Sequence, residues 1–368
     1  MSLHKEISFE DEVCEYLKVH DWLYSVGDAT DYDRARALFP ADVLAWVQAT
    51  QPTAWETLTK NHGSKAAVTV LDRLRAELNL RGTLDVLRNG IDLLGLKEPL
   101  RLAQFKPSLA MNPDVIARYQ ANRLRVIRQV HYSVNNQNAL DLVLFLNGVP
   151  VATVELKTDF TQSVADAIAQ YRFDRVPHPK GQAAEPLLSF PNGALVHFAV
   201  SNSEVHMTTK LEGGATAFLP FNQGHDGGAG NPPNPNGHLT AFLWERVWAR
   251  ESWLEILGRY LIAKRDKKKQ ITHVLFPRFH QLDVTRKLQT AVLKDPPGTK
   301  YLVQHSAGSG KTNSIAWTAH FFAELHDAAN KKVFDSVIVV SDRNVIDDQL
   351  QEAIFDFERT TGVVATIS

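Results

Sequence analysis

Two short stretches of this chain hold residues whose types and spacing suit chemistry. The first is Ala139–Lys157. An apolar run starts at the acid Asp141, passes an Asn147-Gly148 turn signal, and returns as a second apolar run ending in Glu155-Leu156-Lys157. This reads as a β-hairpin. Residues two apart on a strand share a face, so Glu155 and Lys157 point together while Leu156 points into a core. The two carboxylates, Asp141 and Glu155, offer the hard oxygens that suit Mg²⁺. A lysine beside a metal-bound phosphate can orient or polarise an attacking water. The plain alternative is a solvated strand edge, because any amphipathic hairpin can carry Glu-x-Lys.

Register decides whether such a site can form. A plain two-residue turn with unbroken pairing sets Leu146 against Val149 and Asp141 against Val154. Asp141 then lies on the face opposite Glu155 and Lys157. The site therefore requires an odd loop or a bulge. Two arrangements are expected. A three-residue loop Asn147-Gly148-Val149 pairs Asp141 with Glu155. A loop Leu146-Asn147-Gly148, with Gly148 left-handed in a bulge, sets the two acids diagonally.

The second stretch is His305-Ser-Ala-Gly308-Ser309-Gly310-Lys311-Thr312. Lys300–Gln304 before it reads as a short strand, and the run from Asn313 to Leu325 after it reads as a helix. Strand, Gly-rich loop, Gly-Lys-Thr and helix together make a phosphate-binding loop. Glycines let backbone N–H groups approach phosphate, and the helix N-terminus adds favourable potential. Lys311 reaches the β/γ-phosphates of ATP and the Thr312 hydroxyl binds Mg²⁺. The strict pattern asks for glycine where this chain has His305. A fortuitous Gly-Ser linker is the plain alternative. Val337–Val340 and Gly362–Ile367 read as further strands, which implies a parallel sheet with crossover helices.

Other elements must position these groups. Phe9–Trp22 reads as an amphipathic helix with Phe9, Val13, Tyr16 and Leu17 on one stripe. Its acids Glu10, Asp11, Glu12 and Glu15 read mainly as a solvated face, from which one can reach a metal. Asp28–Leu58 and Val68–Leu80 read as further helices. Arg123–Tyr132 reads as a strand whose Arg123, Arg125 and Arg128 meet phosphate or, the favoured reading, water. Val164–Arg175 reads as a helix carrying Gln170 and Tyr171. It either positions a DNA backbone or simply covers one sheet face. Ala194–Ser201 and Val205–Thr209 are strand-like, and Gly213–Gly237 is irregular by its Gly, Pro and Asn content. His225 and His238 are too isolated for a metal site. Ala241–Ala263 is helical in pattern, and its Trp244, Trp248 and Trp253 read as core. The basic run Lys264–Lys269 is a linker or a phosphate contact.

The 368 residues exceed one typical domain. A boundary after residue 263 divides them into 1–263, with a catalytic core at about 120–210, and 264–368. The net charge of −1 excludes a uniformly basic nucleic-acid coat but not a local basic groove. The single cysteine, Cys14, excludes a disulfide framework and fits the reducing cytoplasm. Neither a membrane span nor a signal peptide is present in the pattern.

The two motifs, in this order, resemble the restriction (R) subunit of type I restriction–modification enzymes. The resemblance covers nearly the whole chain. Asp141, Glu155 and Lys157 are similar to the nuclease motif of that family. Gln170 and Tyr171 resemble its Gln/Tyr helix motif, although the spacing departs from Gln-x-x-x-Tyr. Phe276–Gln281 resembles the segment before the first motor motif, where Gln281 would read adenine. His305–Thr312 resembles motor motif I, and Ser341–Gln349 resembles motif Ia. The resemblance implies an α/β fold: a restriction-endonuclease-like nuclease domain, then the first part of a RecA-like superfamily 2 helicase motor. It implies ATP-dependent DNA translocation coupled to Mg²⁺-dependent endonucleolytic cleavage of unmodified double-stranded DNA. Gly308, Ser309, Gly310, Lys311, Thr312 and Gln281 would hold ATP, and Asp141 and Glu155 would hold the nuclease Mg²⁺. Methyltransferase and specificity subunits would be partners, and the remaining motor motifs would lie beyond Ser368. Two other readings stand beside this one. The first is a helicase-type ATPase with an inactive, structural nuclease-like domain, and the second is a scaffold that only senses nucleotide.

Overall fold

A computed structural model describes residues 2–107, 111–341, 351, 353 and 354. The chain divides into two compact units. One comprises Met1–Lys106 with Asp114–Val274, and the other Pro107–Pro113 with Leu275–Ser368.

The first unit is built on a six-stranded mixed sheet in the order β1-β2-β3-β4-β5-β6. The strands are β1 (Leu124–His131), β2 (Ala139–Leu146), β3 (Val149–Leu156), β4 (Val196–Val200), β5 (Val205–Thr208) and β6 (Leu219–Pro220). Strands β3 and β4 run parallel and the other pairs antiparallel. The crossover between β3 and β4 contains α7 (Val164–Phe173). Every residue of β3 is buried, as expected for a strand with neighbours on both sides and cover on both faces.

Helices come before the sheet: α1 (Ser2–Val19), α2 (Pro40–Thr50), α3 (Pro52–His62), α4 (Ala66–Arg81), α5 (Thr83–Asn89) and α6 (Pro113–Gln120). Proline opens both α2 and α3, where its missing N–H deprives no bond. Helix α7 packs on one sheet face, where Val143, Phe145, Ala167, Tyr171 and Ala199 share a core. The other face is covered by α1 and by an aromatic cluster. Phe198 there sits 5.7 Å from Trp248 and 5.9 Å from Phe221, ring centre to ring centre. Trp244, Trp248 and Trp253 are all buried, in agreement with their reading as core. The span 241–263 is less regular than its pattern suggests. It consists of two π-helical turns, Leu243–Val247 and Ile256–Tyr260, around α8 (Arg250–Glu255). The basic run at 264–269 is the turn of a hairpin between β7 (Ile262–Arg265) and β8 (Ile271–Leu275), not a linker.

The arginines in β1 and just before it correct their sequence reading as water-facing groups. Asp42, fully buried at the start of α2, accepts from Nε of both Arg123 and Arg125 at 2.9 and 2.6 Å. Arg128 pairs with Glu10 and Asp11 of α1. A buried carboxylate needs a counter-charge, and here three cations that look free in sequence are drawn inward.

In the second unit α9 (Phe279–Lys294) packs on α10 (Lys311–Ala323). The strands expected at 300–304 and 337–340 are absent; both stretches lack regular structure. A strand exists only through a ladder partner, and among the described residues none pairs with either. The expected strand Gly362–Ile367 and the motif from Asp342 to Gln349 lie outside the described residues.

Candidate active site in the central hairpin

The β2–β3 hairpin resolves its own register problem. Asn147 and Gly148 both have positive φ, 49° and 78°, as a two-residue type I′ turn demands. Leu146 pairs with Val149 and Phe145 with Pro150. The register then shifts: Leu144 pairs with Ala152, Val143 with Thr153 and Leu142 with Val154. Val151 is the extra residue of a β-bulge. Neither expected loop arrangement occurs. The turn has two residues and the odd residue lies in β3 instead, which meets the same need for a broken register.

Local chemistry accounts for the bulge. Pro150 falls at the second, non-hydrogen-bonded pair from the turn, where β2 asks for no N–H. The Val151 carbonyl is taken by the Leu195 N–H at 3.1 Å, at the entry to β4. The turn itself is anchored. Asn147 is fully buried and donates from Nδ2 to the Leu102 carbonyl and Asn122 Oδ1, both at 2.9 Å. The Gly148 carbonyl accepts from Phe39 N at 2.8 Å, and a methyl at Gly148 would overlap the Phe39 carbonyl and Val43. With the tip fixed, register cannot slip.

The shift brings Asp141 to Glu155. Asp141 Oδ2 accepts the Leu156 N–H at 2.7 Å. Glu155 is fully buried, and its carboxyl is raised well above the usual range, first by burial and then by Asp141. Glu155 Oε1 accepts from Arg175 Nε at 2.6 Å, whereas Oε2 is buried with no hydrogen-bond partner. Lys157 is largely buried at the end of the same strand, and its ammonium lies 3.7 Å from Glu6 of α1. Of the four acids of α1 left open by the sequence, Glu10 is the one drawn in. It is 2% exposed and pushed up to about 7 by burial and then by Asp141. Asp11 pairs with Arg128, Glu12 with His238 and Glu15 with Lys18.

Below the acids the sheet face is closed. Ser163 and Asp166 form a capping box that starts α7. One side of that helix carries Tyr171, fully buried, whose hydroxyl meets Thr153 Oγ1 at 2.8 Å. Thr153 also meets His197 Nδ1 at 2.7 Å, and burial holds His197 down to about 3, a neutral imidazole. Tyr171 thus supports the sheet from within. Gln170, half-buried, has its Oε1 buried without a partner. Arg175, just past the helix end, reaches Glu155 and the Ala139 carbonyl. It takes no part in the sequence motifs, although it lies on the segment they single out.

Two carboxylates side by side, one of them with a buried oxygen that has no partner, form a donor set that fits a divalent cation. Among the described residues no group of three or more His, Cys, Asp or Glu side chains gathers as a ready-made metal cage. A two-carboxylate site leaves positions for water and phosphate, which suits Mg²⁺.

In the second unit the loop before α10 has Gly308 and Gly310 at φ 71° and 78°. Lys311 Nζ turns back over the loop and donates to the carbonyls of Ser306 and His305 at 2.9 and 3.3 Å. Ser309 is nearly buried, its Oγ lacking a partner, and Thr312 is half-buried in the first turn of α10. Gln281 is 3% exposed. Its Oε1 accepts the Arg278 N–H at 2.8 Å and its Nε2 donates to the Gly310 carbonyl at 2.9 Å. It braces the loop, and reading adenine would require that amide to exchange these partners.

Residues 48–216 match the family model described as the type I restriction enzyme R protein N terminus. The family resemblance read from the sequence is therefore borne out over that span, which contains Asp141, Glu155, Lys157, Gln170 and Tyr171. A curated protein of Methanocaldococcus jannaschii, bearing the name of a type I restriction enzyme MjaVIIP endonuclease subunit, is 24% identical over 274 residues. The match covers 68% of this chain and 22% of that relative, so the chain spans only a minor part of the protein it resembles. No helix among the described residues is long and apolar enough to cross a membrane.

Proposed function

We propose, from the match of residues 48–216 to the family model described as the type I restriction enzyme R protein N terminus, that this chain cleaves DNA at the Asp141–Glu155–Lys157 site. The observation that carries this reading is the bulge at Val151. Without it the two acids would sit on opposite faces; with it Glu155 lies beside Asp141 and offers a buried oxygen with no partner. Asp141 and Glu155 would hold Mg²⁺, which supplies Lewis-acid polarisation of a phosphoryl oxygen and activation of water. Arg175 holds one Glu155 oxygen in place, so the other alone is offered to the cation. Lys157, a cation at the same strand end, orients the attacking water and balances charge growing on the phosphate. The α7 core beneath, through Tyr171 and Thr153, keeps β3 rigid while it does so.

The second unit is the nucleotide-binding start of a motor. The loop 305–312 cradles ATP phosphates with its backbone N–H groups, Lys311 contacts the β/γ-phosphates and Thr312 binds the accompanying Mg²⁺. In the assembled enzyme ATP-driven translocation along double-stranded DNA feeds the nuclease. Methyltransferase and specificity subunits supply methylation and site recognition. Incubation of this chain with supercoiled plasmid is expected to yield nicked circles in Mg²⁺ or Mn²⁺ and none in EDTA. No nicking in either metal would favour an ATPase with a structural nuclease-like domain, and nicking that persists in EDTA would contradict a metal site at Asp141 and Glu155.

A further inference from the structure

We propose that Gln129 is a positioning residue for the carboxylates, clamping Glu10 of α1 to Asp141 through an amide bridge that a left-handed backbone makes possible. The inference rests on the nuclease reading and goes beyond it, because Gln129 belongs to neither sequence motif. It stands within β1, between the Arg128–Leu142 and Val130–Leu140 pairs, directly across from Asp141. Its φ is +51°, a conformation that non-glycine residues seldom adopt and almost never inside a strand. Such outliers persist where the surroundings hold them and cluster at functional sites.

The geometry shows what the distortion achieves. Neighbouring residues of a regular strand point to opposite faces. Here Arg128 and Gln129 both reach the Glu10 carboxylate. Arg128 Nε donates to Oε2 at 3.2 Å and Gln129 Nε2 to Oε1 at 2.8 Å. The same Gln129 amide donates to Asp141 Oδ1 at 3.3 Å. In a regular β1 Arg128 and Gln129 would point to opposite faces, and only one of them could reach Glu10. The left-handed residue brings one amide within reach of both the α1 acid and Asp141. One uncharged NH₂ group thereby bridges two carboxylates that would otherwise repel, and it fixes Asp141 for a cation shared with Glu155. Partners of this kind orient metal ligands, and their loss weakens metal binding typically 10–100-fold.

Gln129→Gly separates positioning from folding, because glycine adopts positive φ without strain while losing the amide. The expected result is a melting temperature equal to or above that of the parent, with Mn²⁺ affinity, read by calorimetry or Mn²⁺ electron paramagnetic resonance, about tenfold weaker or more. Plasmid nicking falls in step at low Mn²⁺ and recovers at saturating Mn²⁺. Gln129→Asn, which also tolerates the left-handed region but is one methylene short, shows the same loss in affinity. Unchanged Mn²⁺ affinity in both variants overturns the inference while leaving the nuclease reading in place. Absence of Mn²⁺ binding by the parent protein removes that reading itself, and the inference with it.

Discussion

Glu155→Ala is expected to reduce metal-dependent DNA cleavage by roughly three orders of magnitude, equivalent to about 4 kcal/mol of transition-state stabilisation. Glu155 is fully buried and holds the one oxygen of the acid pair that has no protein partner. Its removal also leaves the Arg175 guanidinium without its carboxylate, free to neutralise Asp141 where a cation should sit. Glu155→Gln keeps the shape and an acceptor for Arg175 but not the charge, and is expected to lose cleavage to a similar degree while remaining folded. Asp141→Ala and Lys157→Ala should behave likewise. In the assembled enzyme all of these should retain ATP hydrolysis and translocation, because the acids lie in the first compact unit and the phosphate loop in the second. Mutants that lose ATPase as strongly as cleavage would show these residues to be structural.

Lys311→Ala is expected to produce the complementary pattern: no ATP-dependent translocation, and so no ATP-driven cleavage, by the assembled enzyme. Lys311 already lies over the loop, donating to the carbonyls of His305 and Ser306, and a bound triphosphate would replace those carbonyls as its acceptor. No other lysine or arginine occurs in the loop itself, so nothing there can supply the missing charge at the β/γ-phosphates. Metal-dependent nicking by the isolated chain should be unaffected. Undiminished ATP-driven cleavage in the variant would remove the motor assignment.

Much of the site is legible in the sequence because period-two alternation and the Asn-Gly turn are local. They place Glu155 and Lys157 on one face and demand a register break, and the structure supplies one. The position of the break is not local. It depends on Pro150 falling where β2 needs no N–H, and on the Leu195 N–H donating to the stray Val151 carbonyl. Arg125 and Arg128 read as solvated because the sequence does not say that Asp42 and Glu10 are folded against them. Gln129 gives no signal at all, since a positive φ at a non-glycine residue is imposed by tertiary contacts. In the second unit the helix after the Gly-Lys-Thr segment is a local feature and forms, over Lys311–Ala323 rather than from Asn313 to Leu325. The flanking strands need distant ladder partners, and the described residues contain none for them.

The central claim is that Asp141 and Glu155 share one divalent cation, and Mn²⁺-soaked crystals of the chain test it most directly. Anomalous scattering should reveal a Mn²⁺ peak in contact with a carboxylate oxygen of each residue, within the roughly 2.0–2.6 Å typical of hard-cation ligands. The Arg175–Glu155 contact should remain alongside it. A peak bound by only one of the two acids, or no peak there at saturating Mn²⁺, would contradict the account.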